Sequence, residues 1–215
     1  ASQLGMNHTH FENVTGLPHE GHIASVRDLA TLAKSLIRDY PDEYQWYKEK
    51  WLSYNGIKQP NRNRLLWRDT KVDGVKTGHT NSAGYCLVSS AHNGNMRLIA
   101  VVVGEPSDNA RTDDSQSLLT WGFRFFETRE LYQANQALMK TRAWLGKPGK
   151  VSLGVQHNAS VTLPKGQWQQ VKPAFDIPSN ITAPIQSGQP LGAVVLKEMV
   201  VFNRCTLSAF GLTLG

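Results

Sequence analysis

The sequence predicts an α+β fold in which helices pack on an antiparallel sheet, followed by a small all-β, sandwich-like part. Three features carry the prediction. An amphipathic helical pattern precedes three short apolar runs separated by turn residues, a second helical pattern follows them, and beyond about residue 128 only short alternating runs remain. A domain boundary is expected there, dividing residues 1–127 from residues 128–215.

Taken in order, residues 1–24 read as loop, rich in His, Asn and Gly. Ser25 is a plausible N-cap, and Leu29, Leu32, Ala33 and Leu36 then recur at three-to-four spacing, which predicts an amphipathic helix. Pro41 is expected to stop it, with a short helical segment over 42–50 and a polar stretch over 55–63. Residues 74–80, 84–91 and 96–104 read as strands, and Asn93-Gly94 is a strong hairpin signal between the last two. A helix over 111–126 should follow, laying Leu118, Leu119, Gly122, Phe123 and Phe126 across the sheet. In the last part, runs at 160–163, 169–174 and 192–196 alternate with turns at 164–166, 178–180 and 187–190.

Composition bounds the function only loosely. Among 215 residues, 40% are hydrophobic and 19% charged, and the surplus of 23 Lys and Arg over 17 Asp and Glu forms no arm or stripe. That argues against a nucleic-acid partner. No apolar run is long enough for a spanning helix, and a basic segment followed by an apolar stretch is absent, so any signal peptide is expected to be removed or to lie outside these residues. Cys86 and Cys205 have no neighbours that suggest a structural zinc site. The histidines His8, His10, His19 and His22 are dense, yet without the helical His-Glu-x-x-His pattern they read as solvated or locally bonded loop residues; no metal is expected. Trp46 and Trp51 are expected to pack in the core rather than to stack on sugar.

The most informative segment is Val72-Asp73-Gly74-Val75-Lys76-Thr77-Gly78-His79-Thr80. On a strand, Lys76 and Gly78 face one way while Thr77 and His79 face the other, so a cation, a hydroxyl and open backbone lie along one edge. An extended peptide could pair there, with Gly78 permitting close approach. A solvated surface strand would carry the same triplet.

Lys76-Thr77-Gly78 with His79-Thr80 and Ala83-Gly84-Tyr85 resembles the third active-site motif of low-molecular-mass penicillin-binding proteins, the D-alanyl-D-alanine carboxypeptidases. Gly5-Met6-Asn7, Asn61-Arg62-Asn63 with Leu65-Leu66-Trp67, Arg97-Leu98-Ile99 and the segment from Leu118 to Phe126 are similar to that family in the same order, over roughly residues 3–196. The resemblance implies a β-lactamase/transpeptidase-like domain followed by a small all-β domain. It implies a serine peptidase that removes terminal D-alanine from peptidoglycan stem peptides, binds β-lactam antibiotics and needs no cofactor. It also implies a periplasmic location on the outer face of the inner membrane.

By the same resemblance, Lys76 supplies positive charge, the backbone N–H of His79 is one arm of an oxyanion hole, and Thr77, Gly78 and Thr80 line the substrate. Arg111 is then expected to grip the substrate carboxylate with Thr77; its plain alternative is a solvated arginine at a helix start. Two departures stand out. No serine here is followed by Lys three positions later, so the Ser-x-x-Lys nucleophile is expected upstream of residue 1, and Ser53-Tyr54-Asn55 is a decoy for the family's Ser-x-Asn motif. Residues 197–215 no longer resemble the family, and its membrane-anchoring helix is not recognisable. The missing part would leave Leu98, Ile99, Val101 and Val103 uncovered. A non-catalytic cell-wall-binding or interaction module is the competing reading.

Overall fold

The computed structural model describes residues 1–147, 149–197 and 203–210. The chain forms two compact units, Ala1–Phe125 and Phe126–Gly215.

In the first unit an N-terminal loop, closed by a bridge between His10 and Ile23, leads into helix α1, Val26–Asp39. Ser25 caps it, its Oγ accepting from the Asp28 amide at 3.1 Å. Pro41 does not simply end the helix: it takes the first position of α2, Pro41–Tyr44, where its missing N–H is harmless, and a 3-10 turn over Gln45–Lys48 continues it. The stretch expected to be polar loop is a hairpin, β1 (Trp51–Tyr54) and β2 (Ile57–Pro60), turned by Asn55 and Gly56, both with positive φ. Trp46 and Trp51 are 73% and 51% exposed, so they are surface residues and not the core residues expected from the sequence.

After α3, Leu65–Arg68, the strands β3 (Val72–Thr80), β4 (Gly84–Asn93) and β5 (Met96–Glu105) form an antiparallel sheet in that order. Successive residues sort to its two faces. Leu87, Ala91, Leu98 and Ala100 join Leu65, Leu66 and Leu119 in one core, whereas Val75, Val88 and Ile99 pack with Ala33, Leu36 and Tyr44 of the α1–α2 segment in another. Leu98 and Ile99, expected to lie uncovered, are both packed. Helix α4, Asp108–Phe125, supplies Leu119. Its buried face is Arg111, Thr112, Ser115, Leu119 and Gly122, while Leu118 is 48% exposed and Phe126 belongs to the next strand. The helix thus meets the sheet through small and polar side chains as well as Leu119 and Phe123, and Gly122 lets the Leu98 side chain approach where a Cβ would sit 2.5 Å from it.

The second unit is all β among its described residues, apart from one 3-10 turn at Trp168–Gln170. It contains β6 (Phe126–Tyr132), β7 (Ala137–Arg142), β8 (Lys150–Gly154), β9 (Ala159–Pro164), β10 (Lys172–Asp176), β11 (Pro190–Lys197) and β12 (Asn203–Phe210). Five of them form the sheet β10-β11-β12-β8-β7, and β6 pairs with β9. The strand β12, within the residues 197–215 expected to depart from the family, is therefore central: it joins β11 to β8. Val151, Leu153, Ile181, Ile185, Ala143 and Ala209 form the main core of this unit. The side chain of Cys205 lies outside the described residues.

Asp28 ties the N-terminal loop to α1, accepting from the His8 amide at 2.9 Å and from Thr9 Oγ at 2.8 Å. Burial pushes its carboxyl up, but the hydrogen bonds from Thr9, His8 and Ser25 outweigh this and hold it below the usual carboxylate range. A depressed folded-state value means that the stability it contributes is present above the unfolded value of 3.8 and is lost as the pH falls through the folded one. Asp28→Asn should flatten the acid limb of a urea-unfolding series taken between about pH 5 and 2. Superimposable acid limbs for the two proteins would mean that this contact contributes nothing.

Candidate active site

Strand β3 is an edge strand, and both of its ends are fastened from behind. At its start, Asp73 accepts from Tyr44 Oη at 2.9 Å and pairs with Arg97 at 2.8 Å, and Arg97 also donates to the buried Ser90 hydroxyl at 2.7 Å. Burial pushes the Tyr44 phenol well above the usual tyrosine range, with the Asp73 charge adding to the rise, so it remains a donor. Gly74 is required beside it, since a Cβ there would lie 2.5 Å from Tyr44 Oη. The buried Asn63 amide donates to the Gly74 carbonyl at 3.0 Å.

At its far end β3 is held by α4. Arg111, 5% exposed, donates through Nη1 to the Gly78 carbonyl at 2.9 Å and to the Cys86 carbonyl at 3.1 Å. Its Nε and Nη2 go to Asp108, one turn earlier on the helix, and Asp108 also pairs with Arg64. One N–H of the five remains. Arg111 is therefore neither the solvated helix-start residue nor a free fork aimed at a carboxylate: four of its donors are engaged within the unit.

The consequence falls on the next atom of the backbone. The Gly78–His79 peptide is trans, so its N–H points opposite to its carbonyl. With the carbonyl turned in to Arg111, the His79 N–H is turned out towards the free edge of β3. The His79 ring lies on Tyr85, its partner in register, with centroids 4.0 Å apart, and the Arg111 guanidinium sits 5.4 Å from the same ring. Tyr85, read in the sequence with Ala83 and Gly84 beside the Lys-Thr-Gly triplet, is brought against His79 by strand register across the turn.

Lys76 is exposed, and its Nζ donates to the Thr77 carbonyl. Lys76 and Thr77 line a cavity of about 490 Å³ together with Val75, Trp46, Tyr47 and Arg62. Gly78 is exposed on the edge. The hydroxyl of Thr80, expected at the substrate, accepts from the Ala83 amide at 3.0 Å and meets Ser82 Oγ at 3.2 Å, which shapes the turn into Gly84. Asn55 of the Ser53-Tyr54-Asn55 string turns the β1–β2 hairpin. The N-terminal histidines bond locally, His10 to Glu12 at 3.0 Å and His22 to the Glu12 amide at 3.3 Å, and no group of three or more metal-ligating side chains is gathered among the described residues. The Cys86 thiol donates to the Ala83 carbonyl.

Residues 1–107 match the family model described as D-alanyl-D-alanine carboxypeptidase, and residues 126–199 match that of the penicillin-binding protein 5 C-terminal domain. The chain is 45% identical over 196 residues to D-alanyl-D-alanine carboxypeptidase DacC of Escherichia coli, covering 90% of this chain and 49% of that protein. It spans about half the length of the curated relatives it matches. Among solved structures, penicillin binding protein 5 from Haemophilus influenzae superposes with a TM-score of 0.85 at 40% identity, over 100% of this chain and 63% of that one. Penicillin-binding protein D2 from Listeria monocytogenes in its ampicillin-bound form superposes with a TM-score of 0.54 at 31% identity, over 57% of this chain and 52% of that one. With the Lys76-Thr77-Gly78 edge strand and its buried arginine in place, these likenesses establish that the chain belongs to the low-molecular-mass penicillin-binding-protein family of D-alanyl-D-alanine carboxypeptidases.

Proposed function

We propose that this chain is the Lys-Thr-Gly half of a serine-type D-Ala-D-Ala carboxypeptidase, together with its all-β domain, residues 128–215. The activated serine lies outside these 215 residues. Its oxygen adds to the penultimate D-Ala carbonyl of a stem peptide; the bond to the terminal D-Ala breaks, the departing amine takes up a proton, and water then hydrolyses the ester. The setting is the periplasm, on the outer face of the inner membrane, where peptidoglycan stem peptides are found. β-Lactams occupy the same site, a reading supported by the ampicillin-bound Listeria relative.

One observation carries the assignment: Arg111 holds the Gly78 carbonyl, which leaves the His79 N–H facing the edge where a developing oxyanion would sit. A cation on the carbonyl of a peptide also polarises its N–H, so the donor is both aimed and strengthened. Lys76 supplies positive charge beside it, and Thr77 offers its hydroxyl to the terminal carboxylate from the wall of the cavity. Gly78 keeps the edge clear for an extended substrate. Arg111 acts on that carboxylate chiefly through the backbone it positions, with one N–H left for direct contact.

Two outcomes test this. The 215-residue chain alone should take up no fluorescent penicillin, whereas the same residues joined to an upstream Ser-x-x-Lys segment should be labelled at that serine; labelling of any serine within the chain would overturn the motif assignment. In the joined enzyme, Thr77→Val and Arg111→Lys should each slow acylation by about ten- to a thousandfold, since each removes charge-assisted hydrogen bonds or the orientation they enforce. The two should separate in stability: Thr77→Val melts close to the parent, while Arg111→Lys loses about 2–3 kcal/mol because two carbonyls lose a shared donor. An Arg111→Lys enzyme acylated at the parental rate would remove the clamp from the mechanism.

A further inference from the structure

The positive surplus of the chain is not evenly spread. Residues 126–215 hold nine Lys and Arg against four Asp and Glu, which is five of the net six charges. Between Glu130 and Asp176 there is no acidic residue at all, but there are six Lys and Arg. Three of these, Arg142, Lys147 and Lys150, are exposed around one loop whose outer residues are apolar. Trp144 is 44% exposed and Leu145 is 89% exposed, in a left-handed conformation with φ 60. A branched apolar residue held nearly bare at positive φ gains nothing inside the unit that explains it.

The loop is nevertheless firmly built. Ala143 is buried in the main core, and its amide donates to the Gly149 carbonyl at 3.0 Å, closing the loop at its base. Trp144 donates to the Ile181 carbonyl at 2.8 Å and accepts from the Ala183 amide at 2.9 Å. The Arg142 guanidinium lies 3.6 Å from the centre of the Trp144 ring. Ala143 faces inward while Trp144 and Leu145 are presented outward by backbone bonds that do not depend on a partner.

We infer that residues 142–147 with 149 and 150 form a docking site for an anionic lipid bilayer surface, with Trp144 and Leu145 entering the interface and Arg142, Lys147 and Lys150 meeting the headgroups. The cations alone would suit any anionic polymer. The indole and the bare leucine gain only from an apolar phase, and an indole with a cation beside it suits the headgroup level of a bilayer. No helix among the described residues is long and apolar enough to cross a membrane, and this loop would rest on the surface rather than span it. The inference does not depend on the reading of β3.

Sedimentation of the 215-residue chain with lipid vesicles tests it. The chain should bind phosphatidylcholine vesicles containing about 30% phosphatidylglycerol, not bind phosphatidylcholine alone, and be released by high salt. Leu145→Asn, chosen because asparagine tolerates positive φ, should weaken partition about tenfold, and Lys147→Gln and Lys150→Gln about fivefold each. Thermal melts matching the parent show that each variant is folded, and the two lysine variants test the surface whatever the leucine variant does. Binding to the anionic vesicles that ignores all three substitutions, or no binding to them, would overturn the inference. So would binding to soluble polyglutamate as tight as to the vesicles and indifferent to Leu145, which would identify an anionic polymer as the occupant.

Discussion

Arg111 Nη1 reaches two carbonyls on neighbouring strands, Gly78 on β3 and Cys86 on β4, and the orientation of the site edge follows from that contact. A guanidinium can do this because its donors are fixed in a plane, so bonding Asp108 on one side leaves the other side aimed at the sheet. Asp108 is in turn braced by Arg64, and Arg68 pairs with Asp113 one turn further along α4. The segment around α3, the first turns of α4 and the end of the sheet are therefore one electrostatic unit. A buried charge of this kind is tolerated because Asp108 and two carbonyls answer it, and it would be costly if either were removed.

The clamp explains the unusual face of α4. Sequence periodicity places Leu118, Leu119, Gly122, Phe123 and Phe126 on the sheet; Leu119, Gly122 and Phe123 do pack there, whereas Leu118 is half exposed, Phe126 belongs to the next strand, and the buried face continues through Arg111, Thr112 and Ser115. Apolar periodicity reads a helix correctly only when apolar contact is what seats it. Here the seating is polar at the N-terminal end and apolar and close-packed at Leu119, Gly122 and Phe123, so the pattern reads the second half of the helix and misses the first. The small side chains of Thr112 and Ser115 are what let a helix carrying a buried arginine lie near the strands.

Other parts were legible because local chemistry decides them. Ser25, the Asn93-Gly94 turn and the three sheet strands follow from capping, positive φ and alternation. Asn55-Gly56 carries the same turn signal, but its hairpin has no buried face, so the flanking residues lack the alternation that identifies a strand. In the second unit the missed strands β6, β7, β8 and β12 show why short strands hide: β6 and β7 are only partly buried, β8 is five residues long, and β12 finds its partner β8 far earlier in the chain. Lys76, Thr77 and Gly78 were readable as a motif. Asp108 and Tyr44 were not, since each matters through an atom that the fold brings beside it.

The two fastenings of β3 also differ in kind, and the difference bears on how the strand presents its edge. At the start, Tyr44, Asp73 and Arg97 tie side chain to side chain, with the Asn63 amide on the Gly74 carbonyl, so that end is held as a position in space. At the far end Arg111 grips the main chain itself, which fixes the rotation of one peptide plane. Holding position alone would leave the plane of Gly78–His79 free to rock, since glycine resists such rotation less than any other residue. Holding the plane alone would let the strand slide in register. With both, the glycine that a substrate edge needs for close approach does not make the edge loose, and the side-chain rigidity that glycine lacks is supplied from behind by a cation on its carbonyl.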